Sequence, residues 1–206
     1  MRRADIDAVT LDAHGTLVKL VDPAPALLAV LAERGVERSR ETVLAGFRTE
    51  AAHYAPRASE GYDPDSLEQL RRECARVFLD AVGADIDAGE FAPAYVGALR
   101  FEVLPGVAES LERLRSLGLE VAVVGNWDVS LHERLEELGL AHYFRVIVHA
   151  ADKPAPDGLL RALAGLGVDP ARALHIGDDE ADERAALATG MHFAAAPVQS
   201  AVAALA

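Results

Sequence analysis

Residues 8–17, Ala8-Val9-Thr10-Leu11-Asp12-Ala13-His14-Gly15-Thr16-Leu17, set a short, nearly apolar run directly ahead of a carboxylate and a Gly-Thr turn. Such a run suits a strand buried on both faces of a parallel sheet. Working outward, similar runs recur at 121–124, 146–148, 173–176 and 192–195, with the first strand at 8–11. Longer helical patterns separate most of them, and that alternation is the mark of βαβ units: an α/β, Rossmann-like, doubly wound parallel sheet. The strands at 8–11, 121–124 and 173–176 run straight into polar residues. In an open α/β sheet the ligand sits outside the carboxyl ends of the strands, so these turns converge on one crevice. Any single turn, taken alone, reads equally well as a solvated loop.

Between the first strand and Val107 the pattern is helical, with no convincing strand. Helices are expected at 25–34, 40–54, 64–82 and 88–99. The third begins with Asp63 before Pro64, an N-cap and first-turn pair, and puts Leu67, Leu70, Cys74, Val77 and Phe78 on one face. An all-helical insert at this point reads as a cap subdomain, giving a core of residues 1–17 and 104–206 and a cap of residues 18–103. Pro105-Gly106 marks the return, residues 107–117 form an amphipathic helix, and the Ala-rich tail beyond Pro197 reads as a short helix or a frayed end.

Composition narrows the function classes. With 206 residues, 51% of them hydrophobic, the chain can bury a sizeable core without disulfides or a structural metal. Cys74 is the only cysteine, which excludes an internal disulfide and a Cys-rich zinc site, and it reads as a buried spectator thiol. A formal net charge of −13 opposes long-range attraction to nucleic acid or anionic lipid. No apolar run suggests a signal peptide or a membrane span. The expectation is a cytoplasmic protein acting on a small molecule, with no nucleic-acid or membrane partner and its oligomeric state open. Lys19 and Lys153 are the only lysines, which singles each of them out.

Four constellations carry chemistry. Asp12, followed by Gly15-Thr16, offers a nucleophile or metal ligand beside backbone N–H groups able to hold an anion, although an Asp before a turn also caps helices. Gly125-Asn126-Trp127-Asp128 follows a strand, and Asn126 can present an amide to an oxyanion or simply make a turn. Lys153-Pro154-Ala155-Pro156-Asp157 places a lysine before a proline-started helix, where it could neutralise charge or merely mark the helix entry. Gly177-Asp178-Asp179-Glu180-Ala181-Asp182 gathers four carboxylates in five residues. They repel one another unless a cation is bound, so hard-cation coordination is the economical reading; a helix N-terminus tolerating acids is the alternative.

With four such turns in this order, each linked to a strand's carboxyl end, the chain resembles the haloacid dehalogenase-like superfamily over essentially its whole length. Asp12 through Leu17, Gly125-Asn126, Lys153-Pro154 and Gly177-Asp178 with Asp182 look like the family's four motifs, and the helical insert is similar to its α-helical cap of the first type. The resemblance implies a hydrolase in which Asp12 attacks the substrate and water then releases it. It implies Mg²⁺ held by Asp12, the backbone carbonyl of His14 and Asp178, with Asp179 or Asp182 steadying its waters. Lys153 would pair with Asp12, while Thr16, Gly125 and Asn126 would meet the substrate.

The sequence also departs from the family's pattern. Phosphatases of the family usually carry an Asp where His14 stands; a histidine can do acid–base work, or it can be a polar lid. Asp12-Ala13-His14-Gly15-Thr16-Leu17 leans in part toward the dehalogenase branch, whereas Gly177 through Asp182 looks like the phosphatase-type metal site. Gly125 replaces a Ser or Thr hydroxyl, and the segment from Val148 to Lys153 is shorter than usual. The leading expectation is therefore an Mg²⁺-dependent phosphatase for a small phosphorylated metabolite. A catalytically weakened or silent binding homologue and a C–halogen hydrolase are the alternatives. Arg48, His53, Tyr54, Arg57 and Tyr62 could face the crevice but read more simply as solvated, and Trp127 reads as a packing residue.

Overall fold

The computed structural model describes residues 5–205. The chain divides into two compact units, one running through Lys19 and resuming at Glu102, the other spanning Leu20–Phe101. Val18, Lys19, Glu102 and Val103, expected with the helical segment, thus go with the sheet.

The sheet unit holds five parallel strands. β1 (Ala8–Leu11) is central, and β2 (Val18–Leu20) follows it outside the sheet. β3 (Phe101–Val103) pairs with β2 in a separate two-stranded ribbon. Then come α5 (Val107–Ser116), β4 (Glu120–Val124), α6 (Leu131–Glu137), β5 (Val146–Val148), α7 (Asp157–Leu166), β6 (Ala173–Gly177), α8 (Glu180–Thr189), β7 (His192–Ala195) and α9 (Val198–Ala203). The strand order is β5-β4-β1-β6-β7. The ladder matches Leu11 with Val123 on one side and Ile176 on the other, so β4, β1 and β6 end level with one another.

Successive side chains of a strand point to opposite faces. Ala8, Ala122, Val124 and Ala173 face one layer with Leu159, Leu163 and Leu166 of α7 and Ala185 and Ala186 of α8. Thr10 and Asp12 share that phase with Ala8, and His175 and Gly177 share it with Ala173. The face that packs α7 and α8 is therefore also the face that carries polar side chains at its carboxyl end.

The two ribbon strands are an addition to the sequence reading, which held no strand between residue 11 and Val107. Each is three residues long, and Lys19 and Glu102, in their middles, are exposed and paired at 2.9 Å. So short a run, broken by a charge, shows neither a period nor an apolar block.

The other unit is helical: α1 (Ala24–Ala32), α2 (Arg40–Tyr54), α3 (Pro64–Val82) and α4 (Ala88–Ala98). Its core gathers Leu27, Leu31, Val43, Ala75, Leu79 and the rings of Phe78, Phe91 and Tyr95, with the Phe78 and Tyr95 centroids 4.9 Å apart. Asp63 caps α3 by accepting from the Ser66 amide at 2.8 Å, as its place before Pro64 suggests. Cys74 is buried here. Among the described residues no helix is long and apolar enough to cross a membrane.

Candidate active site

Asp12 is still part of the sheet, its amide donating to the Ile176 carbonyl at 2.9 Å, and its side chain is buried at the carboxyl end of β1. The chain then turns sharply: the amides of Leu17 and Val18 both donate to the Ala13 carbonyl. Gly15 makes that turn with φ of 85°, and a Cβ there would lie 2.2 Å from an Asp178 carboxylate oxygen. Glycine is required for the left-handed conformation and for the closeness of Asp178.

Lys153 is the hub. Its side chain is only 3% exposed, and the ammonium donates to Asp12 Oδ1 at 2.5 Å, Asp182 Oδ1 at 2.5 Å and the Val124 carbonyl at 2.9 Å. All three donor hydrogens are used. The short approach from Val148 is accommodated by left-handed backbone at Ala150 (φ 46°) and Asp152 (φ 57°). The Ala150 and Ala151 amides donate to the Trp127 and Gly125 carbonyls, which ties this loop to the one after β4.

Asn126 faces Lys153. Its amide donates to the Lys153 carbonyl at 2.8 Å and accepts from the Lys153 amide at 2.7 Å. Both ends of the side-chain amide hold the lysine backbone. Gly125 is buried, and a Cβ on it would sit 3.3 Å from Leu131 and 3.4 Å from Ala13, which is tight.

The acidic run separates into three roles. Asp178 is exposed, and the buried Thr16 hydroxyl lies 3.4 Å from its Oδ1, so Thr16 faces this carboxylate. Asp179 caps α8, accepting from the Asp182 amide at 2.9 Å. Asp182 is buried, its Oδ1 taking Lys153 and His175 and its Oδ2 the amides of Asp178 and Asp179. It sits so close beneath Gly177 that a Cβ there would meet its Cγ at 2.2 Å. His14 faces solvent, near enough to Asp178 for an imidazolium to favour that carboxylate.

Burial sets the electrostatics. It raises Asp12 to about 7, with Lys153 opposing and Asp182 adding to the rise. Asp178 is raised by burial and by its acidic neighbours Asp182 and Asp179. For Asp182 burial works in the same direction, but hydrogen bonds from His175 and Lys153 outweigh it and hold the carboxyl well below the usual range. Burial would lower Lys153, yet Asp12 and Asp182 keep its ammonium firmly protonated. One lysine thus serves two carboxylates, and Asp178 stands next to them without a lysine of its own. Asp12, Asp178 and Asp182 each bring an oxygen within 4.8 Å of the others. Hard oxygen donors in excess of cationic side chains fit a hard divalent cation.

The sequence reading missed Thr10 and His175. His175 is fully buried, with Nε2 3.0 Å from Asp182 Oδ1 and Nδ1 2.7 Å from Thr10 Oγ1. The available signal was a polar residue inside each of two otherwise apolar strands, in phase with Asp12 and Gly177.

β1 and β6 thus bring Asp12 and the acidic cluster, and the loop after the edge strand β5 brings Lys153, to one place at the carboxyl end of the parallel sheet. The haloacid dehalogenase-like hydrolase family model matches residues 6–190. The chain belongs to that family. An N-acetylmuramic acid 6-phosphate phosphatase of Pseudomonas aeruginosa is 33% identical over 198 residues, covering 88% of this chain and 77% of the relative. Phosphoglycolate phosphatase 1 of the same species is 31% identical over 199 residues, covering 91% and 68%. Among solved structures, the L-2-haloacid dehalogenase from Xanthobacter autotrophicus superposes with a TM-score of 0.66 at 25% identity, covering 91% of this chain and 76% of that one.

Proposed function

We propose that this hydrolase is an Mg²⁺-dependent phosphatase that acts on a small phosphorylated metabolite through a covalent intermediate on Asp12. The observation that carries the reading is the buried Lys153 ammonium shared between Asp12 and Asp182, with Asp178 as a third, exposed carboxylate beside them. The phosphatase names of two relatives aligned over most of the chain support it. The cytoplasm, expected from the sequence, suits such a substrate, and the helical unit, Leu20–Phe101, serves as the cap that selects it.

In this reading an Asp12 oxygen attacks phosphorus, the bond from phosphorus to the leaving oxygen breaks, and an aspartyl phosphate forms. The departing alkoxide takes a proton from His14, which replaces the family's usual second Asp. Water, giving its proton to His14, then attacks phosphorus and releases phosphate and the Asp12 carboxylate. Lys153 holds Asp12 in place and offsets its charge throughout. The backbone amide of Asn126, beside Gly125 whose own amide donates to the Val148 carbonyl at 3.0 Å, and the Thr16 segment meet the phosphoryl oxygens. Asp12, the His14 carbonyl and Asp178, with Asp179 or Asp182 behind them, would hold Mg²⁺, which when bound would supply the positive charge that lets an anionic nucleophile meet an anionic substrate.

Phosphate release from a panel of phosphorylated metabolites, with and without Mg²⁺, tests this. Wild type is expected to turn over in a metal-dependent way that Asp12→Asn abolishes. A second reading is favoured by Gly125, which lacks a hydroxyl, and by the solvent-facing His14: a scaffold that binds without turnover. An inert wild type whose His14→Asp variant gains activity would establish that reading instead.

A further inference from the structure

Two polar side chains in the middle of the sheet have no part in the chemistry above. Thr10 and His175 are register partners on β1 and β6, both fully buried, on the face that carries Asp12. Their contacts form a line: Thr10 Oγ1 to His175 Nδ1, His175 Nε2 to Asp182 Oδ1, and Asp182 Oδ1 to Lys153, which reaches Asp12.

The chemistry of the partners settles where the protons lie. Nε2 faces a carboxylate oxygen, which can only accept, so Nε2 carries a hydrogen. A second hydrogen on Nδ1 would make an imidazolium in a fully buried site, on the same oxygen that already takes the Lys153 ammonium; burial and like charge both oppose this. Nδ1 is therefore an acceptor, and the Thr10 hydroxyl is its donor. We infer that Thr10 and His175 are positioning residues: Asp182 selects the Nε2–H tautomer, the Thr10 hydroxyl satisfies the bare Nδ1, and the ring aims Asp182 so that Lys153 is held on Asp12. Outer partners of this kind orient the groups that meet a metal or substrate without touching either. Gly177 belongs to the device, because a side chain there would occupy the space of the Asp182 carboxylate.

The inference about Asp12 rests on the phosphatase reading, but the tautomer does not, and the test separates them. Long-range ¹H–¹⁵N correlation on protein labelled at histidine nitrogen is expected to show His175 bare at Nδ1 and protonated at Nε2. Thr10→Val, close to isosteric, is expected to leave Nε2 protonated and to shift the Nδ1 resonance, which loses its hydrogen-bond donor; an unmoved Nδ1 resonance overturns the assignment of Thr10 as that donor. A proton on Nδ1 in the wild type overturns the proposal. With p-nitrophenyl phosphate and Mg²⁺, His175→Leu is expected to lower kcat by about 10- to 100-fold at nearly constant KM, the usual range for outer partners. His175→Gln, whose amide nitrogen can stand in for Nε2–H, is expected to recover most of that loss. Unchanged kcat in folded His175→Leu, or His175→Gln as poor as His175→Leu, overturns the positioning role. If the wild type does not hydrolyse the probe, the phosphatase reading fails for it and the spectrum alone decides the tautomer.

Discussion

The side-chain amide of Asn126 and the peptide of Lys153 hold each other through two hydrogen bonds, one from each end of the amide. The lysine side chain is then aimed by its own backbone, and the backbone is aimed by a residue on the neighbouring strand's loop. Asn126→Ala removes both bonds and leaves a partly buried N–H and C=O without partners. Loss of about 1 to 3 kcal/mol in stability is expected from the unpaired groups. A fall in turnover of at least ten-fold is expected as well, read by urea unfolding and by kcat on the same preparation. Unfolding that moves without any change in kcat would show that Lys153 keeps its position unaided.

The helical unit carries a titration of its own. Glu50 on α2 is buried and accepts from the Tyr95 hydroxyl at 2.7 Å. Burial raises its pKa, only partly offset by hydrogen bonds from Tyr95 and Cys74. Because the folded value lies above the unfolded one, the folded state favours the protonated form. Its contribution is fully present below the unfolded value near 4.3 and is lost as pH rises through the folded value. Glu50's own contribution to stability is therefore expected to fall as pH rises above about 4.3. Glu50→Gln keeps an acceptor for Tyr95 and should remove that contribution from the pH curve, raising neutral-pH stability by about 1 kcal/mol. Denaturant melts of both proteins across the acidic range check it, and parallel pH curves would refute it.

Ala150 takes a left-handed conformation that a Cβ disfavours by roughly 1–2 kcal/mol. Ala150→Gly keeps the amide that donates to the Trp127 carbonyl at 2.8 Å. A net gain of about 1 kcal/mol and a higher Tm are expected, after allowance for the greater freedom of glycine in the unfolded chain. A lower Tm would mean that the loop before Lys153 does not hold this conformation in solution.

Most of the fold was legible because its strands are blocks of apolar residues and its turns carry charge. The central strands β1, β4 and β6 follow directly from AVTL, VAVV and ALHI, and α3 from Asp63-Pro64. The ribbon of β2 and β3 was not legible, since three residues with a central charge have no period. At the site, the nearness of Asp12, Lys153 and Asp182 could be expected from strand ends that converge. The division of labour among the acids could not. Which of Asp178, Asp179 and Asp182 turns inward depends on the first turn of α8, where Asp179 caps and Asp182 folds under Gly177. Asn126 illustrates the same limit: its residue type fits an oxyanion or a peptide equally well, and the hold of its side chain on the Lys153 backbone follows from a loop shape that no pattern in the sequence announces.

The two lysines of the chain occupy opposite environments, Lys19 about half exposed on the ribbon and Lys153 almost wholly enclosed. An amine-selective reagent therefore meets one side-chain amine on the native protein and a second only after the sheet opens. The residue that pairs with Asp12 doubles as a chemical reporter of unfolding, readable by mass without any label being engineered into the chain.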